Sequence, residues 1–113
     1  MTTFQPFFRI LDKSDPKKIY YSIRRLDKGE VLVTSSNHNM IFEKETSTDV
    51  IVKLLIYKMA NHISDDVSLT VDSDIGVAFD LCSSPGSNLM YENLAFVCNV
   101  VKHLEKVQEF STH

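Results

Sequence analysis

The sequence predicts an α/β domain, and three observations carry that expectation. Two alternating apolar runs flank Asp27-Lys28-Gly29, the pattern of a β-hairpin. Val50 to Ile63 repeats apolar residues at helical spacing, and Val67-Ser68-Leu69-Thr70-Val71 alternates soon after it. A second helical pattern follows Asn88. At 113 residues this reads as one domain over residues 1–113, large enough to bury a core without staples.

Phe7-Phe8-Arg9-Ile10-Leu11 is the first expected strand; Pro6 before it suits a strand start. It ends at Asp12, and Ser14-Asp15-Pro16-Lys17 is turn chemistry. Ile19 to Leu26 is the second strand, with Ile19, Tyr21 and Ile23 on one face. Gly29 is free to take positive φ in the turn, and Val31 to Ser35 returns. Ser36-Asn37-His38-Asn39 is a loop. Met40-Ile41-Phe42 either extends the sheet briefly or packs beneath the next helix.

That helix starts at Thr46-Ser47-Thr48-Asp49. Ile51, Val52, Leu55, Ile56, Met59 and Ile63 share one face, with Lys53, Tyr57 and Asn61 opposite. The β-branched run Val50-Ile51-Val52 would suit a strand, but the spacing through Ile63 decides for helix. Asp65-Asp66 breaks the pattern before the strand that ends at Asp72-Ser73-Asp74. Ile75 to Cys82 fits two readings: Val77, Phe79 and Leu81 alternate like a strand, while Ile75, Ala78, Phe79 and Cys82 fit one helical face. After the loop Ser83 to Ser87, Asn88 can cap a long helix carrying Met90, Leu94, Val97, Val101 and Leu104. Val107 to Ser111 is either its last turn or a short final strand.

Composition narrows the function classes. An apolar share of 43% and a charged share of 24% are ordinary for a soluble globular chain. Cys82 and Cys98 lie far apart without CxxC spacing, so they read as small buried hydrophobes in a reducing cytoplasm. No basic start leads an apolar run, and the most apolar stretch, Val50 to Ile56, contains Lys53 and is too short to span a bilayer. The expectation is a cytoplasmic protein with no membrane partner. Neither a GxSxG elbow nor a GxxxxGKS loop is present, and three glycines cannot build a glycine-rich cradle. The four histidines show no HxH or HExxH spacing.

Carboxylates remain. Asp12 ends the first strand, Asp49 opens the first helix, and Asp72 ends the strand after it. Were those two strands parallel neighbours joined by the right-handed helical crossover, their ends would meet and the helix could add Asp49. Three such acids need cations, and Mg²⁺ would bind through their oxygens. Two ions ~4 Å apart would clamp the attacking and leaving oxygens of phosphodiester hydrolysis. Residue by residue there is a plainer assignment: Asp49 caps a helix, and Asp12 and Asp72 are strand-end turn residues. Residues 1–30 carry Arg9, Lys13, Lys17, Lys18, Arg24, Arg25 and Lys28, a basic edge on a chain of net charge -3. Such an edge could follow a phosphate backbone, or its lysines could simply be solvated.

Taken in order, strand, hairpin, helix, strand and acidic turn resemble the ribonuclease H fold, particularly its reverse-transcriptase-associated kind. Tyr21 to Leu32 is similar to that family's second-to-third strand hairpin, and Thr46 to Val50 resembles the start of its first helix. Val67-Ser68-Leu69-Thr70-Val71-Asp72-Ser73 is similar to the strand ending in the family's Asp-Ser, and Asn88 through Phe110 resembles its later helix and following strand. Asp49 stands where the family carries a glutamate, and residues 13–18 replace its glycine-rich turn. The resemblance implies three antiparallel strands leading a mixed sheet with a parallel strand after the helix. It also implies Mg²⁺ at Asp12, Asp49 and Asp72 as metal-binding and catalytic residues, with RNA or an RNA–DNA hybrid near Lys17, Lys18, Arg24 or Arg25. The alternative is a non-catalytic module, of this fold or an unrelated α+β one, that binds a protein or nucleic acid or forms a homodimer.

Overall fold

The computed structural model describes residues 6–81 and 88–103. Along the chain run β1 (Phe7–Asp12), β2 (Asp15–Arg25), β3 (Val31–Thr34), β4 (Asn39–Phe42), α1 (Thr48–His62), β5 (Leu69–Ser73), β6 (Phe79–Asp80) and α2 (Asn88–His103). The strands form one sheet in the order β4-β3-β2-β1-β5-β6, and every neighbouring pair is antiparallel. Among the described residues no helix is long and apolar enough to cross a membrane.

Local chemistry fixes the elements. Gly29 takes φ +92°, its N–H donates to the Leu26 carbonyl at 2.9 Å, and the β2–β3 hairpin closes as its sequence predicts. Ser47 caps α1, its hydroxyl accepting from the Val50 N–H at 3.3 Å. Helix α1 buries Ile51, Val52, Leu55 and Met59, and α2 buries Met90, Leu94, Val97, Cys98 and Val101. Phe8 and Ile10 of β1, Tyr21 and Ile23 of β2, and Val31 and Val33 of β3 join them in one core. These strand residues alternate, so both helices cover one face of the sheet, and among the described residues no helix covers the other, called the bare face below. Each fully buried side chain of this size contributes ~1.5–3 kcal/mol of burial energy, and this layer carries most of the stability. Cys98 behaves as a small hydrophobe: burial pushes its thiol up to about 12. Cys82 lies outside the described residues.

One expectation is corrected and one open reading is resolved. The strand after α1 pairs with β1 antiparallel, not parallel, with Ile10 opposite Val71 and Arg9 opposite Asp72. The cause is β4. Met40-Ile41-Phe42 does extend the sheet, which adds one reversal before the helix. The helical crossover then joins β4 to β5, strands that run the same way but have three strands between them. The sheet is therefore wholly antiparallel rather than mixed. The segment after Asp72-Ser73 is the hairpin of the two readings, with Phe79 opposite Val71 and Asp80 opposite Thr70. Gly76 turns it at φ +86°, and the Ser73 hydroxyl locks the turn, accepting from the Val77 N–H at 2.9 Å and donating to its carbonyl at 2.8 Å. The helical reading of Ile75 to Cys82 fails on residues 75–81; Cys82, Leu104 and the 107–111 segment lie outside the described residues. Strand β2 also starts earlier than expected, because the turn shrinks to Lys13-Ser14 and Asp15 already pairs with Asp12.

Candidate functional site

The structure does not bring the three aspartates together. Asp12 and Asp72 sit on neighbouring strands but three positions apart, Asp12 opposite Leu69 and Asp72 opposite Arg9. That is about 10 Å along the ladder, and alternation sends the two side chains to opposite faces. Asp72 spends both oxygens on Arg9, whose Nε and Nη2 donate at 2.9 and 2.6 Å. The carboxylate beside it raises the Arg9 pKa. Asp12 accepts from the Ser14 hydroxyl at 2.7 Å and the Ser14 N–H at 2.9 Å, an Asx-turn that holds its carboxyl below the ordinary 3.8. Asp49 lies on the helix layer, where the Tyr91 hydroxyl donates to it and Lys53 stands 3.1 Å away. Those contacts, Tyr91 first, lower its pKa as well. Among the described residues no group of three or more His, Cys, Asp or Glu side chains is placed to hold a metal ion. As a Mg²⁺ donor set, Asp12, Asp49 and Asp72 do not fit: each is already engaged elsewhere, on three separate parts of the surface.

The basic candidates divide in the same way. Arg25 is 7% exposed on the helix-covered face, and its Nη1 donates to the Lys102 carbonyl at 2.9 Å near the end of α2. It ties helix to sheet and is turned away from Arg24, which is exposed on the bare face. Arg24 borders a hollow of about 620 Å³ lined also by Arg25 and Lys28 and by Asp27, Glu30 and Asp74, so that end is of mixed charge. Lys17 and Lys18 lie on the exposed first half of β2, with the Lys18 ammonium 5.2 Å from the centre of the Tyr20 ring. Of the four, Lys17, Lys18 and Arg24 are exposed.

The sheet's edges differ more than its carboxylates do. At one edge β6 has two residues, and Lys13 bonds Asp80 at 2.9 Å across it. At the other, β4 presents Asn39-Met40-Ile41-Phe42, with neither a charge nor a proline. In the β3–β4 turn the Ser35 N–H donates to the His38 carbonyl at 2.8 Å. Alternation from that bonded pair makes Met40 and Phe42 the residues hydrogen-bonded to β3. The backbone N–H and C=O groups of Asn39 and Ile41 therefore point outward, away from the sheet. The Ile41 side chain is 61% exposed on the bare face beside Leu32. The sequence carried one signal of this edge, the uncharged run Met40-Ile41-Phe42, but not that it would be the last strand.

Comparison with protein-family models, with curated proteins and with solved structures finds no match to the chain.

Proposed function

We propose that this chain is a non-catalytic binding module that assembles through the open edge of β4, and that the strand added there is β4 of a second copy. The observation that carries this reading is the outward backbone of Asn39 and Ile41 on an edge strand without charge or proline, beside which no further strand lies among the described residues. Natural sheets blunt their edges with charges, bulges or prolines, and an unguarded edge is a template for another strand. The β6 edge is guarded by the Lys13–Asp80 pair; the β4 edge is not.

Antiparallel pairing about a two-fold axis at Ile41 sets Ile41 against its copy, covering an isoleucine that is otherwise exposed. The outward groups of Ile41 bond their equivalents, and those of Asn39 meet the backbone of Glu43. The joined sheets extend the bare face across both copies. So short an edge buries little area, which places the association among weak, reversible interfaces. A nuclease reading of ribonuclease H type asks for a mixed sheet and a shared acidic site. Here the sheet is antiparallel and Asp12, Asp49 and Asp72 hold a turn, a helix pair and an arginine.

Sedimentation equilibrium of the wild type and of Ile41→Pro tests the reading. Proline at Ile41 removes an outward N–H and leaves the β3 ladder intact, the one kind of position a sheet tolerates. The wild type is expected to show concentration-dependent dimerisation that the variant loses while keeping its circular dichroism spectrum. A wild type that stays monomeric to millimolar concentration, or a folded variant that dimerises equally, overturns it.

A further inference from the structure

A cleft of about 580 Å³ lies between the exposed half of β2, the β3–β4 turn and the last turn of α1. Lys18 enters it from β2, His38 from the turn, and Lys58 and His62 from α1. No described carboxylate lines it. The cleft is basic on a chain whose acidic residues outnumber its basic ones. The last turn of α1 gives the cleft a partial negative end, about half a charge, which two lysines outweigh. The Ile63 N–H also covers one of the helix's last carbonyls, donating to Met59 at 2.9 Å.

Tyr21 adds a hydroxyl to the lining of the cleft. It is 6% exposed, and burial raises its pKa. Its hydroxyl has no hydrogen-bond partner among the described residues. Tyr21 is one of the residues that line the cleft. A phenolic hydroxyl at a cleft wall can donate to an anionic ligand held there. The His38 Nδ1 donates to the Asn37 carbonyl at 2.9 Å, which leaves Nε2 as the nitrogen available to a ligand. Beside these polar groups stand Tyr20, Met40 and Ile63, an apolar wall for a flat body.

We infer that this cleft binds a small organic phosphate of mononucleotide size. Its anionic end sits between Lys18 and Lys58 with the Tyr21 hydroxyl donating to it, and its flat part rests against Tyr20 and Met40. The site lies on the helix side of the sheet, so the inference stands whether or not β4 pairs with a second copy.

Calorimetric titration with adenosine 5′-monophosphate and with adenosine, on the wild type, Lys18→Ala, Lys58→Ala and Tyr21→Phe, tests it. The monophosphate is expected to bind at least tenfold more tightly than the nucleoside. Each lysine variant should weaken it about tenfold. Tyr21→Phe should weaken it severalfold without lowering the melting temperature, which separates a ligand contact from a structural one. The Ile41→Pro variant should bind the monophosphate as the wild type does, so failure of the dimer leaves this result readable. Equal binding of adenosine, no binding of the monophosphate, or full affinity in the two lysine variants overturns the inference.

Discussion

The two faces of one sheet do different work, and neighbouring residues show how completely. Arg24 and Arg25 are adjacent in sequence and identical in chemistry. Arg25 is buried under the helices and bonds the Lys102 carbonyl, while Arg24 stands exposed on the bare side. The covered face holds Phe8, Ile10, Ile23, Val31 and Val33, all within reach of α1 and α2. The bare face carries Ser22, Arg24, Leu32 and Ile41 and has no second layer among the described residues. One face holds the core, and the other lies outside it. A residue's value to stability then depends on its parity in the strand more than on its type.

Adjacent substitutions on β2 break that comparison most sharply. Ile23→Ala on the covered face removes a fully buried side chain and is expected to cost about 2–5 kcal/mol in denaturant unfolding. Ser22→Ala next to it should stay within about 0.5 kcal/mol. Equal effects would mean the bare face is not bare. The arginine pair gives the next largest difference. Arg25→Ala should lose about 2 kcal/mol, because the guanidinium's hydrogen bond to the Lys102 carbonyl goes and that carbonyl is left without it. Arg24→Ala should be nearly neutral in the same measurement.

Within the bare face, the Arg9–Asp72 pair is bidentate but about a third exposed on each side. Screening by solvent limits its worth, and a double-mutant cycle of Arg9→Ala with Asp72→Ala should return a coupling of about 0.2–1 kcal/mol. A much larger value would place Asp72 in a tighter site than the geometry gives. The smallest effect is a pH dependence in the helix layer. The Asp49 carboxyl, held by Tyr91 and Lys53, has a folded pKa below the ordinary 3.8. Its stabilisation is present above that ordinary value and is lost as pH falls through the folded one. Asp49→Asn should melt below the wild type at pH 7 and lose less on acidification below about pH 4, the two curves converging there. Parallel curves would show that the contact contributes nothing.

Much of the fold was legible because it rests on local rules. Periodicity placed α1 and α2, and Gly29 marked the β2–β3 turn. What failed depended on a single count. Met40-Ile41-Phe42 could be a strand or a filler beneath the helix, and that choice sets the direction of every later strand. Reading it as a strand would have turned β5 antiparallel to β1 and separated Asp12 from Asp72 before any coordinates. Ile75 to Cys82 was too short for periodicity to settle; the turn geometry at Gly76 and the Ser73 bonds to Val77 decide it. Other features were out of reach of the sequence. The cleft joins Lys18, His38 and Lys58 from three elements, and no spacing links them. Nor does spacing reveal that Asp49 would meet Tyr91 across the helix pair.

Amide hydrogen exchange along β4, measured at several protein concentrations, tests the assembly claim most directly. Met40 and Phe42 donate within the sheet and should be protected at every concentration. Asn39 and Ile41 point outward and should exchange freely in dilute protein, then become protected as concentration rises and a second β4 takes their hydrogens. Exchange at Asn39 and Ile41 that stays fast and unchanged over the whole range would contradict the proposed pairing.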